Sequence, residues 1–99
     1  MNKQTKQIVA KVLKYKGKDF AVLCAVEEMA ELTKNLLKDI NRGKGDMDEV
    51  FEEICDVYIT LEYLKIIYGI SDGRIWEYLN KKIPSKWLPR IEKWNSEVK

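Results

Sequence analysis

The segment "DEVFEEICDVYITLEYLKIIYGI", residues 48–70, limits the fold more than any other part of the chain. At a helical period, Val50, Phe51, Ile54, Val57, Tyr58 and Leu61, with Cys55, Ile59, Leu64, Ile66 and Ile67, surround nearly the whole axis. The polar strip that remains is narrow: Glu49, Glu52, Glu53, Asp56, Thr60 and Tyr63. A helix apolar on almost every side belongs in the middle of a bundle. Glu53 and Asp56 would then be at least partly buried, at i and i+3 on one face.

The rest of the chain supplies partners of the same kind. Residues 3–16 read as a first helix with an Ile8, Val9, Val12 and Leu13 stripe, ended by Gly17. Asp19 is placed to cap a second helix that runs to about Asn41, with Gly43 as its terminator. "RGKGD" is then a tight connection, and Asp46 with Glu49 has the spacing of a capping box for a third helix, Met47 to Tyr68, stopped by Gly69. Ser71 caps a fourth helix in "DGRIWEYLNKKI". Pro84 breaks that helix or falls just past its end, and "PRIEKWNSEV" forms a last short one with Pro89 in its first turn. No segment alternates with the period of two that marks a strand. The expected fold is all-α, a bundle of four to five helices, its central pair antiparallel because the connection is short.

Composition narrows the chemistry. A chain of 99 residues that is 45% hydrophobic suits one folded domain, and at this size self-association is a reasonable expectation. There is no histidine, which excludes Ser-His-Asp and Cys-His catalysis within one chain, HExxH zinc sites and the ExxH pairs of di-iron bundles. Cys24 and Cys55 form no close-spaced motif and read as buried free thiols. No apolar run reaches the ~18 residues of a membrane span, and the lysine-rich start lacks the apolar segment of a signal peptide, so a cytosolic protein is expected. Lys3, Lys6, Lys11, Lys14, Lys16 and Lys18 precede the first acid, Asp19. They read as the solvated face of an amphipathic helix; a nucleic-acid contact is disfavoured by the acidic middle of the chain and by the lack of a recognised motif.

The carboxylates pose the chemical question. "AVEEMAELTKN" places Glu27 and Glu31 about 40° apart on the second helix, with Glu28 about 60° beyond Glu31. Phe20 and Cys24 share that side, where a purely solvated face would seldom put them. Counted back from the connection, Glu31 and Asp56 fall at similar heights, Glu28 a turn farther and Glu53 a turn nearer. Four carboxylates can therefore meet across one groove, where like charges repel unless protons or cations intervene. Hard oxygen ligands without His or Cys favour Mg²⁺ or Mn²⁺. The alternative is ordinary ion pairing, with Lys34 and Lys38 reaching Glu53 or Glu49.

The two halves, "EExxE" at Glu27-Glu28-Met29-Ala30-Glu31 and "ExxD" at Glu53-Ile54-Cys55-Asp56, resemble the MazG-like all-α nucleoside triphosphate pyrophosphohydrolases, a superfamily that includes dimeric dUTPases and dCTPases. The resemblance spans roughly residues 21–82. It implies that Glu28, Glu31, Glu53 and Asp56 coordinate Mg²⁺, with Mn²⁺ as a substitute, and that a (d)NTP is cleaved to the monophosphate and pyrophosphate. Glu28 or Glu31 would be the general base. Glu27 matches the leading glutamate of many members, and Lys34, Lys82 and Lys86, with Arg90, are the candidate contacts to the triphosphate. Trp76, Trp87, Trp94, Tyr58 and Tyr63 offer rings for a base but read more simply as packing residues. A homodimer or homotetramer is implied as well. The alternative within the same fold is a catalytically silent module that binds a nucleotide or a partner.

Overall fold

The computed structural model describes residues 1–43 and 45–97, and the regular elements in it are α-helices: α1, Lys3–Arg42; α2, Met47–Tyr68; α3, Asp72–Glu97. The all-α expectation is met, with no strand among the described residues. Two compact units divide the chain, Met1–Gly69 and Ile70–Lys99.

In the first unit, α1 begins at Asn2, whose side-chain oxygen accepts from the Thr5 N–H at 2.8 Å, a cap that the sequence reading did not single out. Gly17 ends the first helical run as expected, and a second run follows at once across a kink, the two together making the span α1. The Gly17 φ of 81° and ψ of −173° lie in a region that is essentially glycine's alone. Because the chain is helical again at Lys18, Asp19 lies within α1 and is no N-cap. Gly43 closes α1 as expected, at φ 61°, its N–H donating to the Asp39 carbonyl at 3.0 Å. Asp46 starts α2 by accepting from the N–H groups of Asp48, at 2.8 Å, and Glu49, at 3.3 Å.

α1 packs along α2, and the contacts run in opposite numerical order on the two helices. Leu36 and Asp39 share a hollow with Met47 and Val50. Farther along, Cys24 and Glu28 share one with Asp56 and Tyr63. Beyond that, Phe20 meets Tyr63, and the Lys18 ammonium lies 5.3 Å from the centre of the Tyr68 ring. The kink at Gly17 lets both halves of α1 contribute to one core: Val9, Leu13 and Ala21 are buried together, with Tyr63 and Ile67 against them.

The expectation that α2 lies in the middle of a bundle is not met within this unit. Its buried residue is Thr60, whereas Met47, Phe51 and Tyr58 are 87%, 67% and 66% exposed. The reason is geometrical: one neighbouring helix covers one side, and α1 is the neighbour that the unit provides.

In the second unit, Ser71 caps α3 as anticipated, its hydroxyl accepting from the Arg74 N–H at 3.2 Å. The proline reading is corrected. Pro84 and Pro89 both lie inside α3, which is continuous from Asp72 to Glu97. Each proline removes one N–H, freeing the carbonyls of Asn80 and Ser85, and in a helix without buried residues water can take both. The flanking bonds carry the helix across. Trp76, Trp87 and Trp94 are accordingly surface residues of α3, Trp87 and Trp94 touching at 6.1 Å between ring centres.

Candidate metal centre

The sequence brings carboxylates to the α1–α2 groove from both sides, and the structure joins three of them. Glu28 of α1 and Glu53 and Asp56 of α2, all half-buried, each offer an oxygen, and these oxygens lie within 4.8 Å of one another. The i, i+3 step from Glu53 to Asp56 puts both on the side of α2 that faces α1. Glu53 is the member under most stress. Its Oε2 is shielded from solvent and has no hydrogen-bond partner. Burial raises its pKa above the ordinary 4.5, and the charges of Glu28, Glu31, Asp56 and Glu49 add to the rise. A buried carboxylate oxygen without a donor is costly unless a proton or a cation reaches it.

Glu31 stands apart from the group of three. It is exposed, yet close enough to Glu53 for its charge to be felt. Glu27 is exposed and does not join the cluster. The ion-pair alternative is not realised among the described residues. Lys65 pairs with Glu62 at 2.6 Å and Lys81 with Glu77 at 3.7 Å, and no lysine or arginine bridges Glu28, Glu31, Glu53 or Asp56. Lys34 instead lines a hollow with Leu37, Lys38, Asn41 and Arg42.

Beside the carboxylates is a pocket of about 170 Å³, lined by Cys24, Glu28, Asp56, Ile59, Thr60 and Tyr63. Here the odd placement of Phe20 and Cys24 on the acidic side of α1 finds its cause: Cys24 forms the pocket wall and Phe20 backs Tyr63, with ring centres 6.2 Å apart. Burial, then proximity to Cys24, pushes the Tyr63 hydroxyl pKa up, so it stays a neutral donor near pH 7. Thr60, 2% exposed, donates to the Val57 carbonyl at 2.8 Å and keeps acceptor capacity on its oxygen. Thr60 had not been singled out; its signal was its place four residues after Asp56 on the same polar strip. Both cysteines are free, as expected, but neither is fully buried: Cys24 is half-buried, and Cys55 is exposed because it sits on the flank of α2 away from α1.

The donor set suits a hard divalent cation. It is all oxygen, it carries surplus negative charge, and one oxygen is shielded without a partner. Lys82 and Lys86 belong to the second unit. There Lys82 lies 5.4 Å from the Tyr78 ring centre, while Lys86 and Arg90 lie 5.1 and 5.2 Å from that of Trp87. With α3 continuous, the four-residue spacing of Lys82, Lys86 and Arg90 aligns all three along one side of it. No helix among the described residues is long and apolar enough to cross a membrane. Comparison with protein-family models, with curated proteins and with solved structures finds no match to this chain.

Proposed function

We propose that the chain is a Mg²⁺-dependent nucleoside triphosphate pyrophosphohydrolase of the MazG-like all-α kind, which cleaves a (d)NTP to the (d)NMP and pyrophosphate. The observation that carries this reading is the convergence of Glu28, Glu53 and Asp56, together with a shielded, unpartnered oxygen on Glu53. The "EExxE" and "ExxD" resemblance supplies the reaction class. The opposite numerical order of the contacts supports the antiparallel central pair, in a bundle of four to five helices completed by self-association as a homodimer or homotetramer. The nucleotide pool served is cytoplasmic.

Glu28, Glu53 and Asp56 would hold the cation, with Mn²⁺ able to replace Mg²⁺. A bound cation there supplies charge for phosphate oxygens and for a departing pyrophosphate, and acidifies water. The chain's own contributions follow from the environment of each residue. Glu31, beside the cluster but outside the group of three, accepts the proton of the attacking water as general base, with Glu28 committed to the metal. The water oxygen bonds to phosphorus and the α–β anhydride bond breaks. The Cys24–Tyr63 pocket adjoins the carboxylates and receives the nucleoside side of the substrate, with the Tyr63 hydroxyl and Thr60 as its polar contacts. Lys34 is the cation of the first unit proposed for the phosphates, and Glu27 borders the substrate without holding metal.

Pyrophosphate release from a panel of NTPs and dNTPs, with Mg²⁺ or with EDTA, tests this. Release that needs Mg²⁺ and is lost in Glu53→Gln is the expected result. No turnover of any nucleotide by folded protein would replace the enzyme with the silent binding module.

A further inference from the structure

α3 has no buried residue, and it carries every tryptophan of the chain: Trp76, Trp87 and Trp94. At a helical period these three and Ile83 fall within about 40° of one another. Trp76 is 62% exposed, Trp87 38%, and Trp94 and Ile83 50% each, so one side of the helix is an open apolar stripe. Lys82, Lys86, Arg90 and Lys93 occupy the next arc of about 80° on one flank of that stripe. Acids do not interrupt this flank. Asp72 and Glu97 stand at the two helix ends, Glu92 lies farther round, and Glu77 is paired with Lys81 at 3.7 Å.

We infer that this side of α3 lies along the surface of an anionic lipid bilayer, with the tryptophans at the level of the headgroups and the flanking cations against lipid phosphates. A tryptophan-lined stripe edged by lysine and arginine is the pattern of a helix that rests in an interface, and indole rings favour that level. Three observations select lipid. The first is charge: a flank of one sign is complementary to an anionic surface. The second is ring access. Single-stranded nucleic acid binds by stacking bases on free aromatic faces, but Lys86 and Arg90 already stand over Trp87, and Ile83 has no ring to offer. The third is water. The Asn80 carbonyl, freed by Pro84, borders the stripe; a dry protein groove would leave it without a donor, whereas the headgroup region keeps water at hand. None of these residues belongs to the carboxylate groove, so the inference stands whether or not that groove is catalytic.

Because all three tryptophans belong to α3, their emission reports on this helix alone. The full chain is mixed with vesicles of phosphatidylcholine and phosphatidylglycerol, with vesicles of phosphatidylcholine alone, and with a single-stranded oligothymidylate. The expected result is sedimentation with the anionic vesicles, with the emission shifted to the blue and protected from acrylamide, and binding that weakens as salt rises. Lys86→Gln with Arg90→Gln lowers that affinity about 30-fold. Ile83→Glu lowers it as well, and circular dichroism retains the helices in both variants. Four results would overturn the inference. One is no binding of the folded chain to anionic vesicles. Another is equal binding to phosphatidylcholine alone, or an affinity that the double glutamine variant leaves unchanged, either of which would remove the cations from the account. The third is an emission change with the oligothymidylate and none with vesicles, which would make the partner a nucleic acid. The last is emission already blue and protected in the free chain, which would show the stripe to be covered by protein.

Discussion

Glu28 and Glu53 come from different helices, yet each holds a carboxylate oxygen within 4.8 Å of the other's, with Asp56 completing the group. Neither is bridged by a lysine or an arginine among the described residues. Like charges so placed raise the free energy of the folded state until something positive intervenes. The proposed function follows from taking that something to be a divalent cation.

Substitution of Glu53 separates stability from activity. In EDTA, Glu53→Gln removes a destabilising charge and keeps the shape, so thermal unfolding moves to higher temperature. In the same variant Mg²⁺ no longer raises the melting temperature, and pyrophosphate release is lost. Calorimetric or fluorescence melts with and without Mg²⁺ check the first two effects.

The raised Glu53 pKa fixes the sign of a pH effect. Between the ordinary value of 4.5 and the higher folded value, the folded chain binds more protons than the unfolded chain. Stability from this group is therefore greatest at the acid end, falls as pH rises through that window and levels off above the folded pKa. Urea titrations in EDTA across this range show the fall, and Glu53→Gln or saturating Mg²⁺ flattens it.

Glu31 and Glu28 answer differently if the first is the base and the second a ligand. Glu31→Gln lowers kcat by about 10²–10⁴-fold while Mn²⁺ still binds. Glu28→Gln weakens the metal itself. Steady-state kinetics alongside Mn²⁺ titration separate the two.

Gly17 is a position where any side chain is strained, because its φ is 81° with ψ near extended. Gly17→Ala destabilises the first unit by about 1–3 kcal/mol. An alanine there favours a straight α1, which would carry Val9 and Leu13 away from Tyr63 and Ile67. Urea unfolding measures the loss.

Pro84 lies in the interior of α3, so Pro84→Ala restores a donor to the Asn80 carbonyl. The local helix gains up to about 3 kcal/mol. Hydrogen exchange across residues 80–90 slows in the variant, a change that a helix already broken at Pro84 would not show.

Much of the local structure was legible because its causes are local. Gly43, Gly69, Asp46 and Ser71 end or begin helices through their own backbone freedom or side-chain oxygens, and each does so where the sequence places it. That carboxylates of the two helices share one groove was legible from the short connection, but the register set Glu31 at the height of Asp56 and Glu28 a turn away, whereas the structure joins Glu28, not Glu31, to Glu53 and Asp56. The prolines misled because a lost hydrogen bond ends a helix only when nothing compensates, and α3 is exposed enough for water to do so. Cys55 misled because its apolar neighbours lie on a side of α2 that α1 does not cover. The pocket behind Thr60 and Tyr63 depends on how Phe20 and Cys24 pack, which periodicity hints at without giving a shape.

The most direct measurement is Mn²⁺ binding to metal-free protein, followed by electron paramagnetic resonance, in the unmodified chain and in Asp56→Asn. The account predicts a saturable site that Mg²⁺ competes for and that Asp56→Asn weakens by tenfold or more, about 1.4 kcal/mol. Binding that never saturates, or that Asp56→Asn leaves unchanged, would contradict it: Glu28, Glu53 and Asp56 would then be relieved by protons rather than by a metal ion.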